Sequence, residues 1–142
     1  MIRDSHLDGA WLALRTGLGL MALLAGLDKF LNLLTNWTMY VSPLAERVVP
    51  VSPATLMQAV GIVEIVVGVA ILTAWTRLGA YVAAAWLLAI AINLVTTGMF
   101  YDLAVRDVVL AISAYTLARL TEARVEQRVE ERPGLGGSRM FA

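Results

Sequence analysis

The chain has 142 residues, of which 59% are hydrophobic and only 15% are charged, and its mean hydropathy is +0.74. This composition excludes an ordinary water-soluble domain, because such a domain needs polar residues over most of its surface. The formal net charge is zero, so the total charge gives no support for a nucleic-acid partner.

Four long apolar stretches follow one another along the chain, each near the length of roughly 20 residues that a helix needs to cross a bilayer. They are residues 10–34, 54–75, 78–99 and 103–120. Their content of Ala and Leu, without period-two alternation, favours helices over the strands of a membrane barrel. The first stretch lacks the pattern of a cleaved signal peptide, so we expect it to remain. The sequence predicts an all-α membrane protein, an up-and-down bundle of four transmembrane helices within residues 1–120.

Three segments join the predicted spans. Residues 35–53 contain Trp37, Tyr40 and three prolines, which is typical of an outer loop with aromatic side chains at the membrane interface. The other connections, at residues 76–77 and 99–102, are so short that the helices on either side must be antiparallel neighbours.

Lys and Arg are distributed unevenly between the two ends of the predicted bundle. With a cytoplasmic N-terminus, the outer side holds only Lys29, Arg47 and Arg106. The inner side then holds Arg3, Arg77, Arg119, Arg124, Arg128, Arg132 and Arg139. Because cytoplasmic segments carry an excess of basic residues, this bias predicts that both termini are cytoplasmic in a multi-pass protein of the inner (plasma) membrane.

Residues 121–142 form a charged segment after the last predicted span. Acidic side chains recur every four residues from Glu122 to Glu130, and basic ones every four residues from Arg124 to Arg132, as on the faces of one helix. We expect the fourth helix to continue into the cytoplasm until proline and glycines end it, leaving a flexible tail. The charged stripes suit a solvated helix end, and they also suit a docking face for a soluble partner or anionic lipid headgroups.

Several kinds of chemistry lack the residues that would support them. The chain has no cysteine, and its one histidine, His6, precedes the first span. We therefore expect no thiol chemistry, no haem held by two histidines and no metal site. A glycine-rich phosphate loop is absent too, so ATP hydrolysis has no support. Trp11, Trp75 and Trp86 are interpreted as interface or packing residues rather than as platforms for a cofactor.

Ionisable and amide side chains inside the spans are the informative residues, because a charge in the hydrocarbon usually faces the bundle interior or a wet cavity. Glu64 lies near the middle of the second span, at the depth where a carboxylate is hardest to solvate. Arg15 lies near the inner end of the first span, where its long stem can reach the headgroups. The other polar groups lie between the midplane and the outer surface: Asp28, Lys29, Asn93, Asp102, Arg106 and Asp107.

These polar residues converge in the outer half of the predicted bundle. Asp102 and Arg106 are four apart and can pair on one helix face. The remaining carboxylates then outnumber the basic groups, which favours a protonated carboxyl or a bound ligand. Gly61 and Gly68 share a helix face with Glu64, so another helix can approach closely there. A ligand pocket open to the outer side and an ion-pair network that only fixes helix packing both fit this pattern.

Three short motifs resemble a known family. They are GLDKF at residues 26–30, EIVVG at residues 64–68, and Arg106 with Asp107 at the start of the fourth span. In their order, depth and spacing they resemble the DoxX/DoxD-like family of small four-helix membrane proteins, over residues 15–120. The positions that match the family pattern are Arg15, Gly26, Lys29, Glu64, Gly68, Arg106 and Asp107. Asp28 and the charged tail are particular to this chain.

The resemblance implies a function at a quinone. The family takes its name from membrane subunits found with terminal oxidases and with thiosulfate:quinone oxidoreductase, and many other members have no settled activity. By this similarity we expect a small membrane subunit of a quinone-linked respiratory or other electron-transfer complex, not catalytic alone, whose electrons come from a partner. No covalently bound cofactor is expected, and a quinone is the expected ligand. The candidate pocket residues are Lys29, Glu64, Arg106 and Asp107, with Asp28 and Asn93 beside them.

Two other functions fit the same residues. An accessory or assembly subunit would bind lipid and a larger membrane protein complex, or copies of itself, and would perform no chemistry. A small proton-linked transporter would use the carboxylates as a relay. A bundle of this size is too small for alternating access unless it oligomerises, which ranks transport third.

Overall fold

Five α-helices account for most of residues 5–132, the part of the chain that the computed structural model describes. They are α1 (Ser5–Leu31), α2 (Pro43–Val48), α3 (Pro53–Leu72), α4 (Thr76–Thr97) and α5 (Tyr101–Glu130), with a 3-10 turn at Trp37–Tyr40. No strand occurs among the described residues, so the all-α prediction is confirmed there. The four predicted long helices are α1, α3, α4 and α5, and α2 is an addition to them.

Three helices are long and apolar enough to cross a membrane, namely α1, α3 and α4, with 27, 20 and 22 residues. Together with the apolar composition they indicate a multi-pass membrane protein. The longest helix, α5, has 30 residues, but its apolar part carries Arg106, Asp107 and Arg119. A fourth crossing therefore does not follow from hydropathy alone.

The segment predicted as a loop at residues 35–53 contains more regular structure than expected. Ser42 and Ser52 each precede a proline, and their hydroxyl oxygens accept hydrogen bonds from the backbone N–H groups of Ala45 and Thr55, at 3.0 and 3.2 Å. A serine cap followed by proline at the first helical position starts a helix, because proline lacks only an N–H that would be unpaired there. Both α2 and α3 begin at such Ser-Pro pairs.

Some helix ends differ from the predicted ones. The first helix stops at Leu31 rather than at residue 34, because Asn32 adopts a φ of 52° in the left-handed region and turns the chain. The second long helix stops at Leu72 rather than at residue 75. At the other end of the chain α5 continues past residue 120 to Glu130. The predicted flexible tail beyond residue 132 lies outside the described residues.

The long helices pack as two close pairs, α1 with α3 and α4 with α5, and the pairs meet where α3 contacts α4 and α1 contacts α5. Each long helix runs antiparallel to the next, and for α3, α4 and α5 the short connections predicted this. We call the end of the bundle that carries residues 32–52 the loop end. The opposite end, where α1 begins and α5 extends, is the termini end.

Glycines allow the backbones of α1 and α3 to approach closely. A Cβ atom added at Gly26 would lie 2.7 Å from the carbonyl oxygen of Gly61, and one added at Gly68 would lie 2.8 Å from the backbone nitrogen of Leu23. These distances are too short for any side chain, so only glycine permits this contact. The face of α3 that carries Gly61 and Gly68 was predicted to accept a neighbouring helix, and that neighbour is α1.

Small side chains also mark the contact between α4 and α5. Ala80 of α4 and Ala114 of α5 are fully buried, in a core completed by Ile71 and Leu117. Because alanine occupies little space, the two helices lie close together along their length. The outward faces of the helices carry Leu, Val and Ile side chains that remain exposed, as expected for contact with lipid.

Arg15 binds the end of α3 at the termini end. Its guanidinium group donates hydrogen bonds to the carbonyl oxygens of Ile71, Leu72 and Thr73, at 3.0, 2.6 and 3.2 Å. The last carbonyls of a helix have no partner within the helix and carry partial negative charge, so a cation is favourable there. The Arg15 side chain therefore extends to the end of the bundle, where it binds backbone carbonyl groups at the end of α3.

Glu122 joins α4 to α5 at the same end. Its carboxylate accepts hydrogen bonds from the Tyr81 hydroxyl and the Arg119 guanidinium at 2.7 and 3.0 Å, and it pairs with Arg77 at 3.1 Å. The hydrogen bond from Tyr81 lowers the pKa of Glu122, and the two arginines act in the same direction. The carboxylate therefore stays ionised and links three side chains.

The glycine contact gives a testable stability difference within α1. We expect Gly26→Ala to destabilise the bundle by about 1–3 kcal/mol, because the new Cβ meets backbone atoms of Gly61 and Ile65 that cannot move independently. Gly17→Ala is the matched control, since a Cβ atom there has nothing within 4 Å. It should leave stability unchanged or raise it by about 0.5–1 kcal/mol. Denaturant unfolding of both variants in micelles measures this, and equal effects would contradict the close contact.

Candidate functional site

A buried ion pair joins α1 to α3 near the loop end. The Lys29 ammonium nitrogen lies 2.5 Å from Oε2 of Glu64, and the two residues are only 6% and 8% exposed. Each follows a glycine of the helix contact by three residues, Lys29 after Gly26 and Glu64 after Gly61. Because α1 and α3 are antiparallel, these two positions lie on opposite sides of the glycine contact, and the long Lys29 side chain, whose Cβ lies beside Gly61, reaches along α3 to Glu64. The predicted association of these two residues is what the structure shows.

A second pair lies on α5. Arg106 donates to Oδ1 of Asp107 from Nε and Nη2, at 3.2 and 3.1 Å. The Asp107 carboxylate is buried, at 3% exposure, whereas the Arg106 side chain is 59% exposed. Arg106 pairs with its neighbour rather than with Asp102, so the predicted pairing four residues apart was wrong. Adjacent positions do not face each other on a helix, but the long Arg106 side chain reaches its neighbour. The burial of Asp107 favours this pair, because a buried carboxylate needs a partner more than an exposed one.

The two pairs lie close enough to act on each other. Asp107 lies within range of the charges of both Lys29 and Glu64. All three residues are buried, one each on α1, α3 and α5. We call these three residues, Lys29, Glu64 and Asp107, the charged cluster.

Trp86 of α4 brings an indole N–H to the same region. This N–H is buried and has no hydrogen-bond partner among the described residues, although the indole is near enough to act on the Glu64 carboxylate. A buried donor without a partner is rare and costs about 1–3 kcal/mol. From the sequence, Trp86 is interpreted as an interface or packing residue, because nothing in the spacing of the tryptophans indicates which one faces a carboxylate.

Asp28 is buried, at 5% exposure, but it takes no part in the ion pair beside it. Its carboxylate accepts hydrogen bonds from the backbone N–H groups of Leu33 and Leu34, at 2.9 and 3.0 Å, and from the indole N–H of Trp37 at 2.8 Å. The Lys29 ammonium lies 3.8 Å from the centroid of the Trp37 ring, a cation–π contact. Asp28 therefore holds Trp37 as a cover over the charged cluster. From the sequence, Asp28 is a candidate pocket residue and Trp37 is an interface residue.

Asn93 of α4 binds the chain that follows Trp37. Its side-chain amide donates to the carbonyl oxygen of Tyr40 at 2.7 Å and accepts from the backbone N–H of Ser42 at 3.2 Å. The Tyr40 ring in turn contacts Phe100 edge to face, with 4.8 Å between centroids. The polar atoms of Asn93 are thus used by the loop-end segment, and Asn93 is a support of the site rather than part of the charged cluster.

The arrangement supports hydrogen bonding and proton exchange. An ammonium donates, a carboxylate accepts, and a carboxylate near a second negative charge binds a proton more readily. Within residues 5–132 no group of three His, Cys, Asp or Glu side chains comes together that could hold a metal ion. The small exposed fractions mean that a ligand reaches the cluster only after a covering side chain moves.

Part of this site lies in a segment that matches a known protein family. The DoxX family model matches residues 10–98, which is well over half of the chain. The match covers α1 to α4, including Lys29 and Glu64, and ends before Arg106 and Asp107. No curated protein and no solved structure showed significant similarity to the chain.

Proposed function

The chain belongs to the DoxX family, and from this premise we propose that it is a small membrane subunit of a quinone-linked electron-transfer complex, respiratory or other. The charged cluster binds the quinone headgroup and exchanges its protons. Electrons come from a partner protein, since a chain without cysteine and with one histidine has few ligands for a redox centre of its own.

The single observation that carries this proposal is the buried Lys29–Glu64 ion pair within an apolar bundle. Removing two charges from water is costly, and a pair of apolar side chains would often serve packing as well or better. Ionisable groups inside membrane bundles commonly mark ligand or proton pathways. A function for this pair therefore accounts for a feature that stability alone does not require.

The chemistry of quinone reduction suits these side chains. Conversion of a quinone to its hydroquinone takes two electrons and two protons, and each carbonyl oxygen becomes a hydroxyl group. The Lys29 ammonium can donate a hydrogen bond to one such oxygen, and a protonated Glu64 or Asp107 can deliver a proton. Arg106, paired with Asp107 and more than half exposed, connects the cluster to the bundle surface, from which protons are replaced.

The bundle that holds this site has four spans in our proposal, with residues 103–120 of α5 as the fourth. α5 packs along α4, from Tyr101 at the loop end to Glu122, which binds Tyr81 near the termini end. A segment beside a spanning helix lies at the same depth in the bilayer. Val105, Val109 and Ile112 turn apolar side chains outward from this part of α5, which supports contact with lipid. The excess of arginine at the termini end supports cytoplasmic termini in the inner membrane.

An accessory role without chemistry is the second candidate. Lys29 and Glu64 satisfy each other, and both lie beside the glycine contact that holds α1 to α3. A pair so placed could serve to fix the register of the two helices in a larger membrane complex. Under this role the charged cluster would bind no ligand, which separates it from the first proposal.

Quinone binding tests the two roles directly. We expect the purified protein in lipid nanodiscs to bind ubiquinone or menaquinone, and Glu64→Gln to weaken binding by about tenfold or more, because a charged hydrogen-bond partner is lost. Asp102→Asn is the matched control, an exposed carboxylate on α5, and should stay within about twofold of the wild type. Equilibrium titration measures both. Absence of binding in the wild type, or equal binding by Glu64→Gln, would favour the accessory role.

The fourth span is tested by the sidedness of single cysteines, since the natural chain has none. Met99→Cys lies at the loop end and Val129→Cys at the termini end, and both positions are well exposed. We expect a membrane-impermeant maleimide to label Met99→Cys in intact spheroplasts and Val129→Cys only in inverted vesicles, because α5 crosses the bilayer between them. Labelling of both positions from the same side would show that α5 does not cross.

A further inference from the structure

Asp28 has no role in the quinone chemistry proposed above, yet it is a buried carboxylate next to the one lysine of the chain. We propose that Asp28 is a positioning residue, which holds the Trp37 ring over Lys29 and thereby controls access of a ligand to the Lys29–Glu64 pair. The access route is a property of the fold, and its use by a quinone rests on the proposed function.

The turn after α1 explains why Asp28 does not pair with Lys29. Adjacent residues point about 100° apart around a helix, so Lys29 faces α3 while Asp28 faces the chain that leaves α1. The left-handed Asn32 reverses that chain and brings the N–H groups of Leu33 and Leu34 back onto the Asp28 carboxylate. Asp28 thus closes the turn with two backbone hydrogen bonds.

The third hydrogen bond of Asp28 sets the position of Trp37. The indole N–H lies 2.8 Å from Oδ2 of Asp28, which fixes the ring plane, and the ring then lies against the Lys29 ammonium. Tyr40 contacts the other part of this tryptophan loosely, with 6.1 Å between ring centroids. Within residues 5–132, Asp28 is the acceptor for the Trp37 indole N–H, so the orientation of the ring depends mainly on it.

The Trp37 ring occupies the position from which a ligand would reach the Lys29 ammonium. When Trp37 swings away, Lys29 loses a cation–π contact, and its ammonium can donate a hydrogen bond to a carbonyl oxygen of a quinone headgroup instead. The indole N–H released from Asp28 must find another acceptor. The closed and open arrangements thus differ by one charge-assisted hydrogen bond and one cation–π contact, which Asp28 and Trp37 supply together.

Because Lys29 is the one lysine of the chain, its exposure can be measured without any quinone. Acylation by a water-soluble amine-reactive ester, read by mass spectrometry of the Lys29 peptide, reports how often Lys29 is exposed in nanodiscs. We expect Asp28→Asn and Trp37→Ala each to speed acylation about tenfold, the order expected for losing a charged hydrogen bond or a cation–π contact. Trp37→Phe keeps an aromatic ring but loses the N–H donor, and should give an intermediate rate.

The double variant separates positioning from general loosening of the bundle. If Asp28 acts through Trp37, Asp28→Asn combined with Trp37→Ala acylates no faster than Trp37→Ala alone. Additive effects of the two substitutions would overturn the proposal, as would an unchanged rate in Trp37→Ala. Trp75→Ala is the matched control, an exposed tryptophan at the termini end, and should leave the rate unchanged.

The acylation rates of Lys29 do not depend on quinone binding. Should Asp28→Asn fail to fold, Trp37→Phe still decides, because acylation of this variant at the wild-type rate would show that the indole N–H and its bond to Asp28 do not hold the cover. Loss of quinone binding in the wild type would end the proposed function and leave the acylation result standing. Normal quinone binding with additive acylation effects would end only the role of Asp28.

Discussion

The close contact between α1 and α3 is the constraint on which the rest of the structure depends. Where Gly26 meets Gly61, the two backbones touch, and beside this contact the Lys29 side chain reaches along α3 to Glu64, at 2.5 Å. Neither charge could be held in an apolar bundle without the other. The glycines therefore do more than save space, since they determine where a paired ammonium and carboxylate can be buried.

Residues at the loop end cover the Lys29–Glu64 pair. The turn after α1, closed by Asp28, places Trp37 on the Lys29 ammonium, and Asn93 of α4 holds the segment that follows. The charged cluster is thus enclosed by elements distant in sequence, while Arg106 alone extends from it toward the surface. Low exposure of this kind strengthens the hydrogen bonds of the site and requires a movable cover for any ligand.

The long helices could be predicted because they depend on a local pattern, the length of the apolar stretches. Depth along antiparallel helices placed Lys29 and Glu64 in the same half of the bundle, and the family resemblance grouped them in one pocket, but no spacing in the sequence indicated that they pair with each other. The roles of Asp28 and Trp37 could not be predicted, since they depend on a chain reversal at Asn32 that no periodicity records. The choice of Arg106 between Asp102 and Asp107 likewise depends on burial, which follows from tertiary packing and not from spacing.

The central claim is that the charged cluster is a ligand site rather than a packing device. A cryo-electron microscopy map of the particle isolated from native membranes tests it most directly. We expect planar non-protein density within hydrogen-bonding distance of Lys29 or Glu64, Trp37 displaced from Lys29, and a redox protein against the bundle. An intact Lys29–Glu64 pair covered by Trp37, with no density beside it in a fully assembled complex, would contradict the account.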